Sequence, residues 1–264
     1  MAIKLIALDL DGTLLTSDKK ITTRTKDIIA RAMARGVTVT IATGRMLRSA
    51  LYFTRLLASD APVVCCNGGY VGRAEGAPVF ARYFDPALTR EFLTFAYERN
   101  WYVNWYRGLD IYAPEYRAEY FTAYRTTAGF MVHEVGDDYL RYTENVPQFV
   151  LRELDAGIDA YVRTVREHFG DQLLPQQNTG TSVDINPPGV NKAVGVKALA
   201  DAMGLGLDEV MVAGDADNDY EMLEMGAFSV VPENGLPEAK ERASYVTASN
   251  DANGIALAIE KFVL

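Results

Sequence analysis

Residues 7–15, ALDLDGTLL, follow the apolar run IKLIAL and carry two carboxylates, Asp9 and Asp11, two positions apart. A strand of Ile3, Leu5, Ile6, Ala7 and Leu8 belongs in a buried sheet. Ending it on two like charges is electrostatically unfavourable unless a cation or a reaction uses them. Three more apolar runs end on polar groups. Thr43-Gly44-Arg45 follows VTVTIA, Asn67-Gly68-Gly69 follows PVVCC, and Gly214-Asp215, with Asp217, Asn218 and Asp219, follows DEVMVA. Lys192 opens the amphipathic segment NKAVGVKALADAMG.

Each feature alone has a plain structural reading. Asp11-Gly12 and Asn67-Gly68 are turn dipeptides, Thr43 can cap the helix that follows, Asp217 and Asp219 complement a helix dipole, and a lone lysine is ordinarily solvated. Those readings do not explain why every strand end along one sheet edge carries such a group. In open α/β sheets, ligands bind outside the carboxyl ends of the strands. Carboxylates without His or Cys partners suit a hard, octahedral ion such as Mg²⁺, which also removes the repulsion between Asp9 and Asp215. Phosphoryl transfer needs cations and N–H donors around three charged oxygens, and Thr43, Gly44 and Lys192 can supply those contacts. One carboxylate can attack phosphorus, and a second can protonate the leaving alcohol and then activate water.

The elements that must position these residues alternate along the first third of the chain. IKLIAL precedes the amphipathic TTRTKDIIARAMARG, whose Ile28, Ile29, Ala32 and Met33 share a face, with Thr22 or Thr23 as cap and Gly36 as stop. The continuous β-branched run VTVTIATG, the helical RMLRSALYFTRLLAS and the short strand PVVCC follow. This alternation predicts crossovers and a parallel sheet covered on both faces. From about Asp85 the texture changes. WYVNWYRGLDIYAPEY reads as two strands, PEYRAEYFTAYRTTAG as a helix, QFVLREL as a strand, DAGIDAYVRTVREHFG as a helix and TSVDINP as a strand, an α+β insert on an antiparallel sheet. After NPPG the first texture resumes with helix, strand, helix, strand and a closing helix. The expected organisation is an α/β, Rossmann-like parallel-sheet core from 1–83 and 188–264, with an inserted α+β cap domain at 84–187. Hinges are expected near 83–86 and 186–189.

Composition bounds the partners. Among 264 residues, 49% are hydrophobic and 23% charged, and the net charge of −9 comes without a basic block. A nucleic-acid partner is therefore not expected, and an acidic surface obliges a phosphorylated substrate to find a local cation. No apolar stretch approaches the ~18 residues of a membrane span, Asp9 and Asp11 interrupt the N-terminal apolar run, and the only cysteines, Cys65 and Cys66, are adjacent. These features suggest a cytoplasmic protein with buried thiols and no membrane partner; oligomeric state is not readable.

The motifs DLDGTL, ATGR, Lys192 and GDADND together resemble the four motifs of the haloacid dehalogenase (HAD) superfamily of phosphatases, and the insert resembles the C2 cap of its Cof-like, type IIB branch. The resemblance implies a Mg²⁺-dependent phosphatase of small phosphorylated metabolites. It makes Asp9 nucleophile and metal ligand, and Asp11 general acid/base with its carbonyl on the metal. Thr43 and Gly44 become phosphate contacts, Lys192 the charge-neutralising cation and Asp215 a metal ligand. Arg45, Asn67, Asn218 and Asp219 become supporting residues. Where related sequences run Met-Gly-Asn-Ala, this one has Val-Val-Pro232-Glu233-Asn234, which removes any assured phosphate contact from Asn234. Phosphomutase, dedicated sugar-phosphate phosphatase and non-hydrolytic phospho-Asp signalling protein are the competing readings. Cap aromatics Trp101, Trp105, Tyr106, Tyr112 and Tyr116 are either a stacking surface or the cap's own core. His133 and His168 lack a catalytic pattern.

Overall fold

The computed structural model describes residues 2–124, 131–153, 157–179 and 181–264. In chain order it runs β1 (Leu5–Leu8), α1 (Thr23–Ala34), β2 (Thr38–Ile41), α2 (Leu47–Leu56), β3 (Val63–Cys65), β4 (Tyr70–Gly72) and β5 (Phe80–Ala81). Next come α3 (Pro86–Glu98), β6 (Tyr102–Arg107), β7 (Asp110–Ala113), β8 (Val132–Glu134), β9 (Phe149–Arg152), α4 (Ile158–Phe169), β10 (Leu174–Thr179) and β11 (Ser182–Asn186). The chain closes with α5 (Lys192–Ala202), β12 (Val210–Ala213), α6 (Tyr220–Glu224), β13 (Phe228–Pro232), α7 (Pro237–Glu241), β14 (Tyr245–Thr247) and α8 (Gly254–Phe262). Two compact units result: Met1–Arg45, Ala50–Phe80 and Asn191–Leu264 form one, and Met46–Ser49 with Ala81–Val190 form the other.

The first unit is built on a parallel five-stranded sheet of order β14-β13-β12-β1-β2. Every residue of β1 is buried, as its continuous apolar run requires of a strand covered on both faces. Leu5, Ala7, Val210 and Val212 pack against Val196, Leu199 and Ala200 of α5 and Met222 and Leu223 of α6. Each buried large aliphatic side chain there contributes about 1.5–3 kcal/mol of transfer free energy. Thr22 caps α1 by accepting from the Thr25 N–H, and Gly36, at φ +84°, turns the chain into β2. The expected third strand departs from the pattern. β3 adjoins the end of β2 through the isolated bridge Ala42–Val64 and pairs antiparallel with β4, so the Asn67-Gly68 turn joins a hairpin as well as ending a strand.

The second unit has a six-stranded sheet of order β10-β11-β9-β6-β7-β8. Its pairings are antiparallel except β7 with β8, which run parallel. The helix expected over 114–129 is instead a 3₁₀ segment, Ala118–Tyr124, whose remainder lies outside the described residues. Alternation sends Val103, Trp105, Phe149, Leu151, Val183 and Ile185 to one face, against Phe92 and Phe95 of α3 and Val165 and Phe169 of α4. Phe92 meets Phe149 at 4.8 Å between ring centroids. Trp105 is fully buried and donates Nε1–H to the Tyr142 carbonyl at 2.9 Å, while Trp101 and Tyr112 pack against the same cluster. Trp105, Trp101 and Tyr112 are thus core, whereas Tyr116 is 42% exposed. The contrast is measurable: Trp105→Ala should lower the stability of this unit by about 3–5 kcal/mol in chemical denaturation followed by circular dichroism. Tyr116→Ala should change it by about 0.5 kcal/mol or less.

Candidate active site

The sheet register brings the site together. Leu8 pairs with Ala213 on one side and Ile41 on the other. Asp9 donates its N–H to Ala213 O at 2.9 Å, and Ala42 donates to Leu8 O at 2.8 Å. The residues after β1, β2 and β12 therefore leave the sheet at one edge. Asp9 is 6% exposed, Asp219 is fully buried and Lys192 is 1% exposed.

At the centre, Lys192 Nζ donates to Asp9 Oδ1 at 2.7 Å and to Asp219 Oδ1 at 2.6 Å. Lys192 is the first residue of α5, whose cap Asn191 accepts from the Val194 N–H, so the lysine backbone is fixed where the helix begins. The second Asp219 oxygen accepts from the N–H groups of Asp215 (2.9 Å) and Ala216 (3.2 Å). Asp219 thus holds the lysine and ties down the loop after β12. Gly214 allows this, because a Cβ there would lie 2.3 Å from Asp219 Cγ. One oxygen from each of Asp9, Asp215 and Asp219 falls within 4.8 Å of the others.

Charge in this pocket does not balance, since one ammonium faces three carboxylates. Burial pushes the Asp9 carboxyl well above the usual range; Lys192 opposes that rise, and Asp219 and Asp215 add to it. Burial also lifts Asp215 to about 6, partly offset by the hydrogen bond that Thr13 Oγ1 donates to its Oδ1 at 2.7 Å. Lys192 stays charged: burial disfavours the ammonium, but Asp219 and Asp9 outweigh it and raise its pKa. Gly12, at φ +84°, is confined by the same carboxylate, because a Cβ would meet Asp215 Oδ2 at 2.3 Å.

Asp11 lies in a different setting, with 40% of its side chain exposed. Burial alone would raise its pKa, but hydrogen bonds and charge from Arg45, then Lys19, lower it to about 2. Arg45 donates Nε to Oδ2 and Nη2 to Oδ1, both at 2.8 Å, and Lys19 Nζ reaches Oδ1 at 2.8 Å. Thr43 is buried, and its hydroxyl accepts from the Arg45 N–H at 3.2 Å. Its carbonyl accepts from Asn67 N at 3.1 Å, which sets the turn that contains Gly44 beside the turn after β3. Asn67, left-handed at φ +51°, accepts from Asn218 Nδ2 at 3.4 Å.

Sequence reasoning missed three residues of this framework. Thr13 stood in the quoted DGT motif, so its hydrogen bond to Asp215 was within reach. Lys19 carried no signal, because no motif links it to Asp11. Asn234 was considered only for phosphate contact; it donates to Gly12 O at 2.8 Å and accepts from Asn250 N at 2.9 Å, bracing the loop after β1.

Residues 6–259 match the haloacid dehalogenase-like hydrolase family. A candidate phosphatase of Streptococcus pyogenes is 34% identical over the whole of both chains. The 5-amino-6-(5-phospho-D-ribitylamino)uracil phosphatase YbjI of Escherichia coli is 30% identical over 99% of this chain and 96% of its own. A solved haloacid dehalogenase-like hydrolase of Bacteroides thetaiotaomicron superposes with a TM-score of 0.90 at 23% identity, over 98% of this chain and 99% of that one. A solved subclass IIB sugar phosphatase of the superfamily superposes with a TM-score of 0.82 at 20% identity, over 98% of each chain; both likenesses concern the fold. With the chemistry-bearing ends of β1, β2 and β12 on a single sheet edge and a match across nearly its full length, the chain belongs to the haloacid dehalogenase-like hydrolases, as a phosphatase.

Proposed function

We propose that this phosphatase hydrolyses small phosphorylated metabolites in two steps, with the phosphoryl group carried covalently by Asp9. The observation that carries this reading is the buried Lys192 held between Asp9 and Asp219, with the Asp215 carboxylate beside them. In the first step an Asp9 oxygen forms a bond to phosphorus while the ester P–O bond breaks, and the leaving oxygen takes a proton from Asp11. Thr43, Gly44 and Lys192 hold the phosphoryl oxygens. Arg45, Asn67, Asn218 and Asp219 support the turns and the lysine. In the second step water attacks phosphorus, Asp11 takes its proton and Asp9 departs as a carboxylate.

The donor set fits a divalent, oxygen-loving cation. Asp9 and Asp215 would hold the ion, with the Asp11 carbonyl as a further oxygen, while Asp219, which already accepts from Lys192 and two backbone N–H groups, supports the lysine beside it. Mg²⁺ is the ion of choice; when bound it draws charge from the phosphoryl oxygens and offsets the carboxylate surplus. We assign residues 1–83 and 188–264 as the catalytic core and 84–187 as the cap that selects the substrate. The named activity of the Escherichia coli relative, and of a Bacillus subtilis relative at 29% identity that carries the same activity name, supports a small phosphomonoester as substrate. The buried thiols of Cys65 and Cys66 support a cytoplasmic location, and among the described residues no helix is long and apolar enough to cross a membrane.

Two outcomes test this reading. Asp9→Asn should lower turnover of p-nitrophenyl phosphate by more than about 10³-fold, and removing divalent ions with a chelator should abolish wild-type turnover until Mg²⁺ is restored. Near-normal turnover by the variant contradicts the assignment. The second concerns pH. Asp215 is raised from 3.8 to about 6 on folding, so the metal-free folded state binds its proton more tightly than the unfolded chain. That contribution is present below about pH 4 and is lost as pH rises through about 6. Without metal, Asp215→Asn should match wild type near pH 4 and exceed it by about 1–2 kcal/mol at pH 7, allowing for partial solvent screening. Thermal melts with and without Mg²⁺ check this; only the wild type should gain from the ion.

A further inference from the structure

The three donors on Asp11 form a built clamp. Arg45 grips the carboxylate edge-on with Nε and Nη2, a fork that fixes the plane of the carboxyl group as well as its position. The arginine is itself anchored: its carbonyl accepts from Cys66 N at 3.0 Å, its N–H meets Thr43 Oγ1, and its guanidinium lies over the buried Phe53 ring at 5.2 Å. Lys19 arrives from the loop between β1 and α1. That loop is closed by Thr16 N to Lys20 O (2.9 Å) and Lys19 N to Thr16 O (2.8 Å). Asp251 pins it by accepting from both Ser17 N (2.8 Å) and Ser17 Oγ (2.7 Å). Lys19 adopts φ +59°, a left-handed backbone unfavourable for a residue with a side chain. Strain held by so many bonds, in a residue whose ammonium ends 2.8 Å from Asp11 Oδ1, calls for a use.

We infer that Arg45 and Lys19 are positioning residues that hold the Asp11 carboxylate in the setting of the general base, so that the clamp serves the hydrolytic second step. The inference rests on the two-step reading above. In that step the water oxygen forms its bond to the phosphorus of phospho-Asp9. The water proton passes to an Asp11 oxygen, and the P–O bond to Asp9 breaks with its electron pair returning to the Asp9 carboxylate. The products are inorganic phosphate, a free Asp9 and a protonated Asp11, which returns the proton to the next leaving oxygen. A carboxylate free to rotate meets the water in the right plane only part of the time, whereas a forked one is already aligned. Arg45 is the principal holder, because its side chain is 15% exposed against 53% for Lys19, and exposed pairs contribute little.

The test separates the two chemical steps with p-nitrophenyl phosphate at saturating Mg²⁺, since p-nitrophenolate leaves without a proton. Arg45→Lys keeps the charge and loses the fork. It should lower kcat by about 10- to 100-fold and KM by the same factor, leaving kcat/KM within about twofold. Rapid mixing should then show a burst of nearly one equivalent of p-nitrophenolate per enzyme. Lys19→Met should act in the same direction by several-fold. A parallel fall of kcat and kcat/KM without a burst, or no change in either variant, overturns the inference. Turnover retained by Asp9→Asn sinks the two-step reading itself, so the two failures are distinguishable.

Discussion

Everything at the sheet edge depends on one buried ammonium. Lys192 joins Asp9, 183 positions away in the chain, to Asp219, 27 positions away, through bonds of 2.7 and 2.6 Å. Taking these charges out of water is expensive, and the direct bonds from Lys192 to both carboxylates offset part of that cost. Remove the lysine and two buried carboxylates lose their counter-charge, a defect of about 3–5 kcal/mol. The pair is better understood as a device for specifying geometry than as a stabiliser. It fixes where α5 begins relative to β1 and, through Asp219, fixes the loop that presents Asp215. Even with Lys192 in place the carboxylates remain in surplus, and that surplus is the driving force for taking up a cation.

The framework around the pocket follows from backbone arithmetic. Parallel pairing of Leu8 with both Ala213 and Ile41 delivers Asp9, the loop after β12 and the Thr43 turn to one edge. Gly12 and Gly214 let the carboxylates of Asp215 and Asp219 fold close against the chain, where any side chain would intrude. Asn234, in the loop after β13, braces Gly12. The result is two carboxylates two residues apart in contrasting settings: Asp9 dry and paired with a buried lysine, Asp11 partly solvated and forked by an arginine.

Much of this was legible in the sequence, and the reasons are physical. Continuous apolar runs separated by amphipathic segments encode a doubly covered parallel sheet, because only that arrangement buries them. Strand-end polar residues then follow from topology. The insert's strands at YVNWYR, QFVLREL and SVDIN were likewise legible as short apolar and aromatic runs between turns and helices. What escaped reading lacked a period or a motif. β14 and α7 are too short to show periodicity. The segment 114–129 reads as a helix, yet its described part closes as a 3₁₀ segment. The parallel β7–β8 pairing depends on a long connection rather than on either strand's composition. Lys19 and Asn234 reach their partners through tertiary folding alone, eight and 222 positions away.

The central claim, that Asp9 itself takes up phosphorus, is tested most directly by isolating the intermediate. The enzyme would be mixed with radiolabelled phosphoester and Mg²⁺, quenched in acid within milliseconds, reduced with borohydride and mapped by peptide mass spectrometry. The account predicts label bound to protein at quench and conversion of residue 9 to homoserine in the reduced peptide. Full release of inorganic phosphate with residue 9 unmodified and no labelled protein at any time would contradict it.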